Sequence, residues 1–330
     1  MTYAQAFEQV NSQNLNIAAG ATQTFTFNLQ NLRKDRSYGA LALMIRGTLN
    51  AGAGAVDVPP EVLDCMVTRI QLNYHGGAST INISGENISK YLNLTHYDRR
   101  NRVSELLTIG NDTNFRHVVP IPLIGTYAMA MLKRRARIPG GVLHPNALQV
   151  TVSTAGWGTI VGALVGEIRV MADGLPMVGD DATVSSPLQL METTDIQGSV
   201  RDFPNADVII LSRTPIVTQQ LPAPLASGIT TFTIDGIVDS PLEPQEFVQL
   251  SQYGFAQLYR YDEARLSYMD ASLGVHRRIN GAGAIESVGI FKPFDRRDFK
   301  GTLSNPTLRF PARNTAIPLE VIAEASSLTK

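Results

Sequence analysis

The chain has 330 residues, 44% of them hydrophobic and 17% charged, with 28 Lys and Arg against 29 Asp and Glu for a net charge of -1. At roughly 100–200 residues per domain, this length predicts two domains or one large β architecture, and the apolar fraction excludes wholesale disorder. A charge near zero supplies no general attraction to nucleic acid or anionic lipid, and a charged fraction below the roughly 25% usual for soluble domains points to a surface that is neutral or covered by partners.

Tyr3, Phe7 and Val10 stand at helical spacing, which predicts a short amphipathic helix within an N-terminal arm over residues 1–20. Beyond the turn Ala18-Ala19-Gly20-Ala21 the period changes to two. Phe25, Phe27 and Leu29 alternate with Thr24, Thr26 and Asn28, the pattern of a half-buried strand. Leu41, Leu43 and Ile45 continue in that style, and residues 50–60 read as a loop of Gly, Ala and Pro. Strands follow over residues 67–72 and 80–83, joined by His75-Gly76-Gly77, whose glycines supply the positive φ of a tight hairpin. Ser84 is placed to cap a helix carrying Glu86, Ile88, Tyr91 and Leu92. Short helices are predicted over residues 103–107 and 127–135, and strands over 148–152 and 165–171.

Residues 173–187, rich in Gly, Asp, Pro and Ser, read as a linker that divides a first sandwich over residues 21–180 from a second over 181–330. In the second half, strands are predicted over residues 208–211, 216–217, 231–234, 287–291, 307–310 and 319–323, with a helix over 244–259. Many short strands punctuated by Gly and Pro predict an all-β fold of jelly-roll sandwiches; a doubly wound α/β fold needs helices alternating with strands. Thr24-Phe25-Thr26-Phe27-Asn28 echoes Thr231-Phe232-Thr233-Ile234-Asp235, and Pro145-Asn146-Ala147-Leu148 echoes Asn305-Pro306-Thr307-Leu308. Two tandem sandwiches produce such echoes, and so does the alternation common to all amphipathic strands.

The chemistry-bearing residues form no catalytic pattern. His75, His96, His117, His144 and His276 include no His-Glu-x-x-His and no pair at metal-ligand spacing, so they read as exposed loop histidines. Cys65, the single cysteine, excludes an intrachain disulfide and a cysteine zinc cluster, and its place beside an apolar strand reads as a buried structural thiol. No Gly-x-Ser-x-Gly elbow or phosphate-binding loop occurs, and Gly281-Ala282-Gly283 lacks the strand-to-helix setting of a dinucleotide site. No catalytic residue, cofactor or metal is expected. The basic clusters Arg99-Arg100, Lys133-Arg134-Arg135, Arg277-Arg278 and Arg296-Arg297 are short, and Asp98, Asp295 and Asp298 lie close to them. Ion pairs between subunits suit them better than a nucleic-acid groove. No stretch reaches the roughly 18 apolar residues of a membrane span, and Met1-Thr2-Tyr3-Ala4-Gln5 lacks the basic-then-apolar layout of a signal peptide. The expectation is a chain neither secreted nor membrane-spanning.

Taken in order, the elements resemble the double jelly-roll major capsid proteins of tailless, membrane-containing icosahedral viruses and phages. Three features carry the likeness. The first is Thr24-Phe25-Thr26-Phe27 followed by residues 41–49, ending Arg46-Gly47-Thr48-Leu49. The second is Val67-Thr68-Arg69-Ile70-Gln71-Leu72, Gly76-Gly77, Ile81-Asn82-Ile83-Ser84-Gly85, Ile88 and Tyr91-Leu92. The third is the second run of strands with a helix over residues 244–259 among them.

The resemblance spans nearly the whole chain. It implies two tandem eight-stranded jelly-roll β-sandwiches with a few short helices in loops, no catalytic residues, and a homotrimer forming a pseudo-hexagonal capsomer. Such capsomers tile a virion shell over an internal membrane, beside penton and minor capsid proteins, from subunits made in the host cytoplasm. Tyr3, Phe7 and Val10 would then meet the membrane or a neighbour, or pack against the chain's own barrel. Arg99, Arg100, Arg134, Arg135, Arg296 and Arg297 would form inter-subunit ion pairs. The low charged fraction and the Pro/Gly loops independently suit a subunit that packs flat against copies of itself. The rival readings are a β-sandwich receptor-binding, spike or tail protein of a phage, and a β-sandwich hydrolase whose carboxylates are paired by folding. A single tryptophan, Trp157, and 7% aromatic content weigh against a carbohydrate-binding platform.

Overall fold

The computed structural model describes residues 6–50, 56–58, 60–74, 78–95, 107–110, 113–125, 137–157, 162–177, 188–194, 200–202, 206–213, 231–234, 237–238, 272–279, 283–295, 306–309 and 320–325. In the first half these form β1 (Ala6–Ile17), β2 (Thr22–Asn28), β3 (Arg36–Leu49), β4 (Val56–Val58), β5 (Val67–Tyr74) and β6 (Ala78–Ile83). After helix α1 (Gly85–Thr95) come β7 (Leu107–Ile109), β8 (Thr113–Pro122), β9 (Ile138–Pro139), the single-turn helix α2 (Gly140–Leu143), β10 (Ala147–Ser153) and β11 (Leu164–Pro176). The second half holds β12 (Gln189–Thr194), β13 (Val200–Asp202), β14 (Ala206–Arg213), β15 (Thr231–Ile234) and β16 (Ile237–Val238). It ends with β17 (Ser272–Ile279), β18 (Ile285–Asp295), β19 (Pro306–Arg309) and β20 (Glu320–Ala325).

One topology is built twice. Setting aside the short β4, β7 and β9, the first, eighth, third and sixth strands of the first half form one sheet, β1-β11-β3-β8. The second, seventh, fourth and fifth form the facing sheet, β2-β10-β5-β6. With β17 set aside, the second half repeats both orders as β12-β20-β14-β18 and β13-β19-β15-β16. This is the jelly-roll arrangement, two packed antiparallel sheets wound from paired strands. The rolls are continuous through the backbone: β6 and β12 pair in parallel at Leu190↔Ile81 and Met191↔Asn82, so a nine-stranded sheet runs from one roll into the other.

Alternation explains the cores. In β2 the aromatic positions Phe25 and Phe27 are at most 2% exposed while Thr24 and Thr26 face solvent, because successive strand residues point to opposite faces. Ile70 and Leu72 of β5 and Leu148 and Val150 of β10 are buried beside them in the same sheet, and Leu41, Leu43 and Ile45 of β3 with Ile168 and Val170 of β11 are buried in the facing one. Leu190, Val208, Ile210, Ile290 and Ile322 are the buried counterparts in the second roll. The two sheet edges that meet at β1 and β2 are closed by side-chain amides. Asn31 Nδ2 donates to the Val10 carbonyl at 2.9 Å, and Gln13 Nε2 to the Thr26 carbonyl at 2.7 Å, occupying groups that would otherwise pair with a stray strand.

Several sequence expectations are corrected. The helix expected over residues 3–10 is, from Ala6 onward, the start of β1, paired antiparallel with β11. A bulge between Gln9 and Asn11 breaks the period-two pattern, so that Val10 and Leu15 are both buried although five residues apart. Phe7 and Val10, three residues apart on a strand, lie on opposite faces, 61% and 3% exposed. The Gly/Ala/Pro loop contains β4, which pairs with β7, and Leu107 belongs to β7 rather than to a helix. β8 escaped detection because Pro120 and Pro122 interrupt its sequence; among the described residues it lies at the sheet edge and pairs with β3 alone, where missing N–H groups are tolerated. The expected linker begins inside β11, where Asp173 sits at a bulge. Its Oδ1 accepts from the N–H groups of Gly39 and Ala40, both at 2.9 Å, and Arg137 pairs with its carboxylate. The helices expected over residues 127–135 and 244–259, the rest of 103–107, and the strand over 216–217 lie outside the described residues.

Of the two sequence echoes, one joins topological equivalents. Leu148 and Leu308 of that pair lie on the seventh strands, β10 and β19. The other links the second strand of one roll, β2, to the fourth of the other, β15, and reflects shared alternation only.

Candidate functional site

The densest polar chemistry among the described residues lies where α1 of the first roll meets β12, β17 and β20 of the second. Ser84 caps α1 as its sequence predicts: its Oγ accepts the Asn87 N–H at 3.2 Å. A capping box would place Glu or Gln at the position of Asn87 to accept the Ser84 N–H. Here Glu192 of β12 does so from the other roll. Its Oε2 accepts from the Ser84 N–H and Ser84 Oγ, both at 2.9 Å, and from Asn87 Nδ2 at 2.7 Å. Formation of the first turn of α1 is thereby tied to the docking of β12.

Further along α1, Lys90 is fully buried and holds Glu86 one turn back at 2.6 Å and Glu320 of β20 at 2.9 Å. Burial alone would drive its pKa down, but the two carboxylates outweigh it, so the ammonium is held charged with its pKa raised. Arg278 of β17 lies 3.7 Å from both Glu86 and Glu320, completing a group of two cations and two carboxylates. Tyr91 donates its hydroxyl to Glu324 Oε2 of β20 at 2.7 Å. Gly125 makes room for that carboxylate, since a Cβ there would collide with Glu324 Oε1.

Beneath this layer, His117 Nε2 lies 2.6 Å from Asp64 Oδ1, both buried. Asp64 Oδ2 has no hydrogen-bond partner among the described residues. It lines a pocket of about 10 Å³ with Ser89 and Val119, the size of a single water. His276 on β17 is fully buried, and burial together with the Lys90 charge pushes its pKa down to about 3, so it is neutral at ordinary pH. The expectation of exposed loop histidines therefore fails for His117 and His276, which sit on strands. His144 is half-buried; His75 and His96 lie outside the described residues. Cys65, beside Glu86, has its thiol pKa pushed up to about 12 by burial first and by Glu86 second; it is a protonated structural thiol.

The residues expected to mediate contacts are dispersed. Phe7 is exposed at the start of β1, Val10 is part of the core, and Tyr3 lies outside the described residues. Arg99, Arg100, Arg134, Arg135, Arg296 and Arg297 also lie outside them. Arg277 and Arg278, grouped with them by sequence, form pairs inside the chain, Arg277 with Glu61 at 3.6 Å and Arg278 as above. Among the described residues no three His, Cys, Asp or Glu side chains are arranged to hold a metal ion, and no helix is long and apolar enough to cross a membrane. Sequence reading missed Lys90, Glu192, Glu320 and Glu324. A signal was present in Glu86 and Lys90, four residues apart on a predicted helix, and in Glu324 at the end of the apolar run Val321-Ile322-Ala323.

No family model matches the chain, and no curated protein matches it by sequence. Among solved structures, the chain is similar to the STIV MCP, at 12% identity and a TM-score of 0.52, covering 97% of this chain and 96% of that one. It also aligns with the atomic structure of Sulfolobus Turreted Icosahedral Virus, at 11% identity and a TM-score of 0.49 over 97% and 90% of the two chains. The major capsid protein P2 from Bacteriophage PM2 aligns at 11% identity and a TM-score of 0.42 over 99% and 100%. The end-to-end likeness to the STIV MCP agrees with the doubled strand order: the chain has the double jelly-roll fold.

Proposed function

We propose that this chain is a major capsid protein, the structural subunit of an icosahedral virion shell rather than an enzyme. The observation that carries this reading is one eight-strand topology built twice, over residues 6–176 and 189–325, and joined through a continuous sheet. The boundary between the rolls falls between Pro176 and Gln189. Three such double rolls, six sandwiches in all, suit a trimeric pseudo-hexagonal capsomer, because threefold symmetry around two similar modules approximates six. The amide-closed edges of β1 and β2 and the low charged fraction fit a subunit that must pack against copies of itself without adding strands to a neighbour's sheet.

Its partners are its own copies in the trimer and in adjacent capsomers, together with penton and minor capsid proteins. Subunits are made in the host cytoplasm and end in the virion. Contact with an internal membrane or a neighbour falls to Phe7 and the residues before it, Val10 being taken up by the core. The arginines at positions 99, 100, 134, 135, 296 and 297 supply ion pairs between subunits. Native mass spectrometry over a dilution series, with negative-stain microscopy of the same material, tests the reading. Trimers giving three-lobed particles of hexagonal outline are expected; a stable, fully folded monomer at every concentration overturns it.

A further inference from the structure

An open cleft of about 440 Å³ lies beside the polar seam between the rolls, lined by Thr68, Ser84, Glu86, Asn87, Glu192, Thr193 and Glu320 among others. Its unmet hydrogen bonding is weighted towards acceptors. Asn87 is 5% exposed, and its Oδ1 has no partner among the described residues; Thr193 Oγ1 is likewise buried and without one. The charges lean the same way. Glu86 and Glu320 are answered by Lys90 and Arg278, whereas among the described residues Glu192 is held by the neutral groups of Ser84 and Asn87 and by no cation. The N-terminus of α1 contributes about half a positive charge towards Glu192, which leaves the carboxylate incompletely neutralised.

A cleft with an unmet amide acceptor, an unmet hydroxyl that accepts as readily as it donates, and a negative residual charge suits a cation with several N–H donors. An ammonium offers three such donors on a point charge, and a guanidinium five in a planar fork. A bare metal ion does not fit, since the described carboxylates, histidines and cysteine form no ligating set. We propose that this cleft binds an organic cation, an alkylammonium or guanidinium group, with Glu192 as its counter-ion and Asn87 Oδ1 and Thr193 Oγ1 as its further acceptors. The group has two sources: a free polyamine, or a Lys or Arg side chain of a neighbouring copy. Only the second source rests on the capsid reading.

Isothermal titration of the full chain with agmatine, which carries both cation types, tests the proposal, with tetramethylammonium at matched ionic strength as a cation lacking N–H groups. Saturable agmatine binding to unassembled chain is expected, with none for tetramethylammonium. Glu192→Gln is expected to weaken it at least tenfold, and Thr193→Val several-fold; Thr193→Val keeps the test intact should Glu192→Gln fail to fold, which circular dichroism reports. Absence of saturable agmatine binding, equal binding of tetramethylammonium, or unchanged affinity in a folded variant overturns the proposal. Agmatine binding that persists after assembly identifies a free cation as the occupant, and binding lost on assembly identifies a neighbour's side chain. If the chain never assembles but binds agmatine, the capsid reading fails and the cation site stands.

Discussion

The interior of the first roll and the seam between the rolls are built on opposite principles. Between the sheets of the first roll, Phe25, Phe27, Leu43, Ile70, Val150 and Ile168 are at most 2% exposed and carry no side-chain polar atoms. One layer away, α1 presents Asn87, Lys90 and the Tyr91 hydroxyl to Glu192, Glu320 and Glu324 of the second roll. Apolar burial is non-directional and scales with area, so it holds each roll together and tolerates small shifts. Buried ion pairs and charged hydrogen bonds demand particular partners, so they select one way for the rolls to meet at little net gain in stability.

Four measurements break or sharpen this contrast, each read as denaturant unfolding of unassembled chain. Phe27→Ala, which empties a fully buried site, is expected to cost about 3–5 kcal/mol. Lys90→Met leaves Glu86 and Glu320 with only the longer contacts of Arg278 and is expected to cost about 3 kcal/mol, the low end of the range because Arg278 remains and Glu320 is 31% exposed. Replacing all four with apolar residues, as Lys90→Met, Glu86→Leu, Glu320→Leu and Arg278→Leu, should recover most of that loss. If the quadruple variant is as weak as the single one, the seam contributes net stability and the contrast fails.

The third measurement is a pH dependence. Folded His276 takes up its proton near pH 3 and the unfolded side chain near 6.5, so between these values the unfolded chain binds one proton more. Stability conferred by the neutral imidazole is therefore complete above pH 6.5 and falls as the pH drops towards 3, by at most about 1.4 kcal/mol per unit. Lys90 and Arg278 oppose the protonation, while Asp64 and Glu320 favour it. His276→Leu is expected to lose this slope relative to the parent chain. The smallest effect is expected for Glu192→Gln, about 1 kcal/mol, since the amide still accepts from Ser84 but without charge.

The elements with period-two patterns, β2, β3 and β10, and the apolar runs of β5 and β14 are legible from residue order alone, and with them the Ser84 cap of α1. Those that were missed share a physical cause. A bulge disguised β1, prolines disguised β8, and β12, β13 and β16 are too short or too mixed to show alternation. The polar seam was the least legible feature. Glu192 and Glu320 stand 102 and 230 positions from Lys90, and a charged residue on a strand or helix looks the same whether it meets solvent or a partner.

Composition and alternation, which are properties of near neighbours in sequence, were enough to determine that this chain is all-β, with apolar faces to bury; two tandem sandwiches were implied by the resemblance. Which strands pair, that the same strand order is wound twice, and that one roll caps a helix of the other were decided only in the folded chain. Those features depend on contacts between residues distant in sequence, where loop closure brings together groups whose local patterns carry no record of each other.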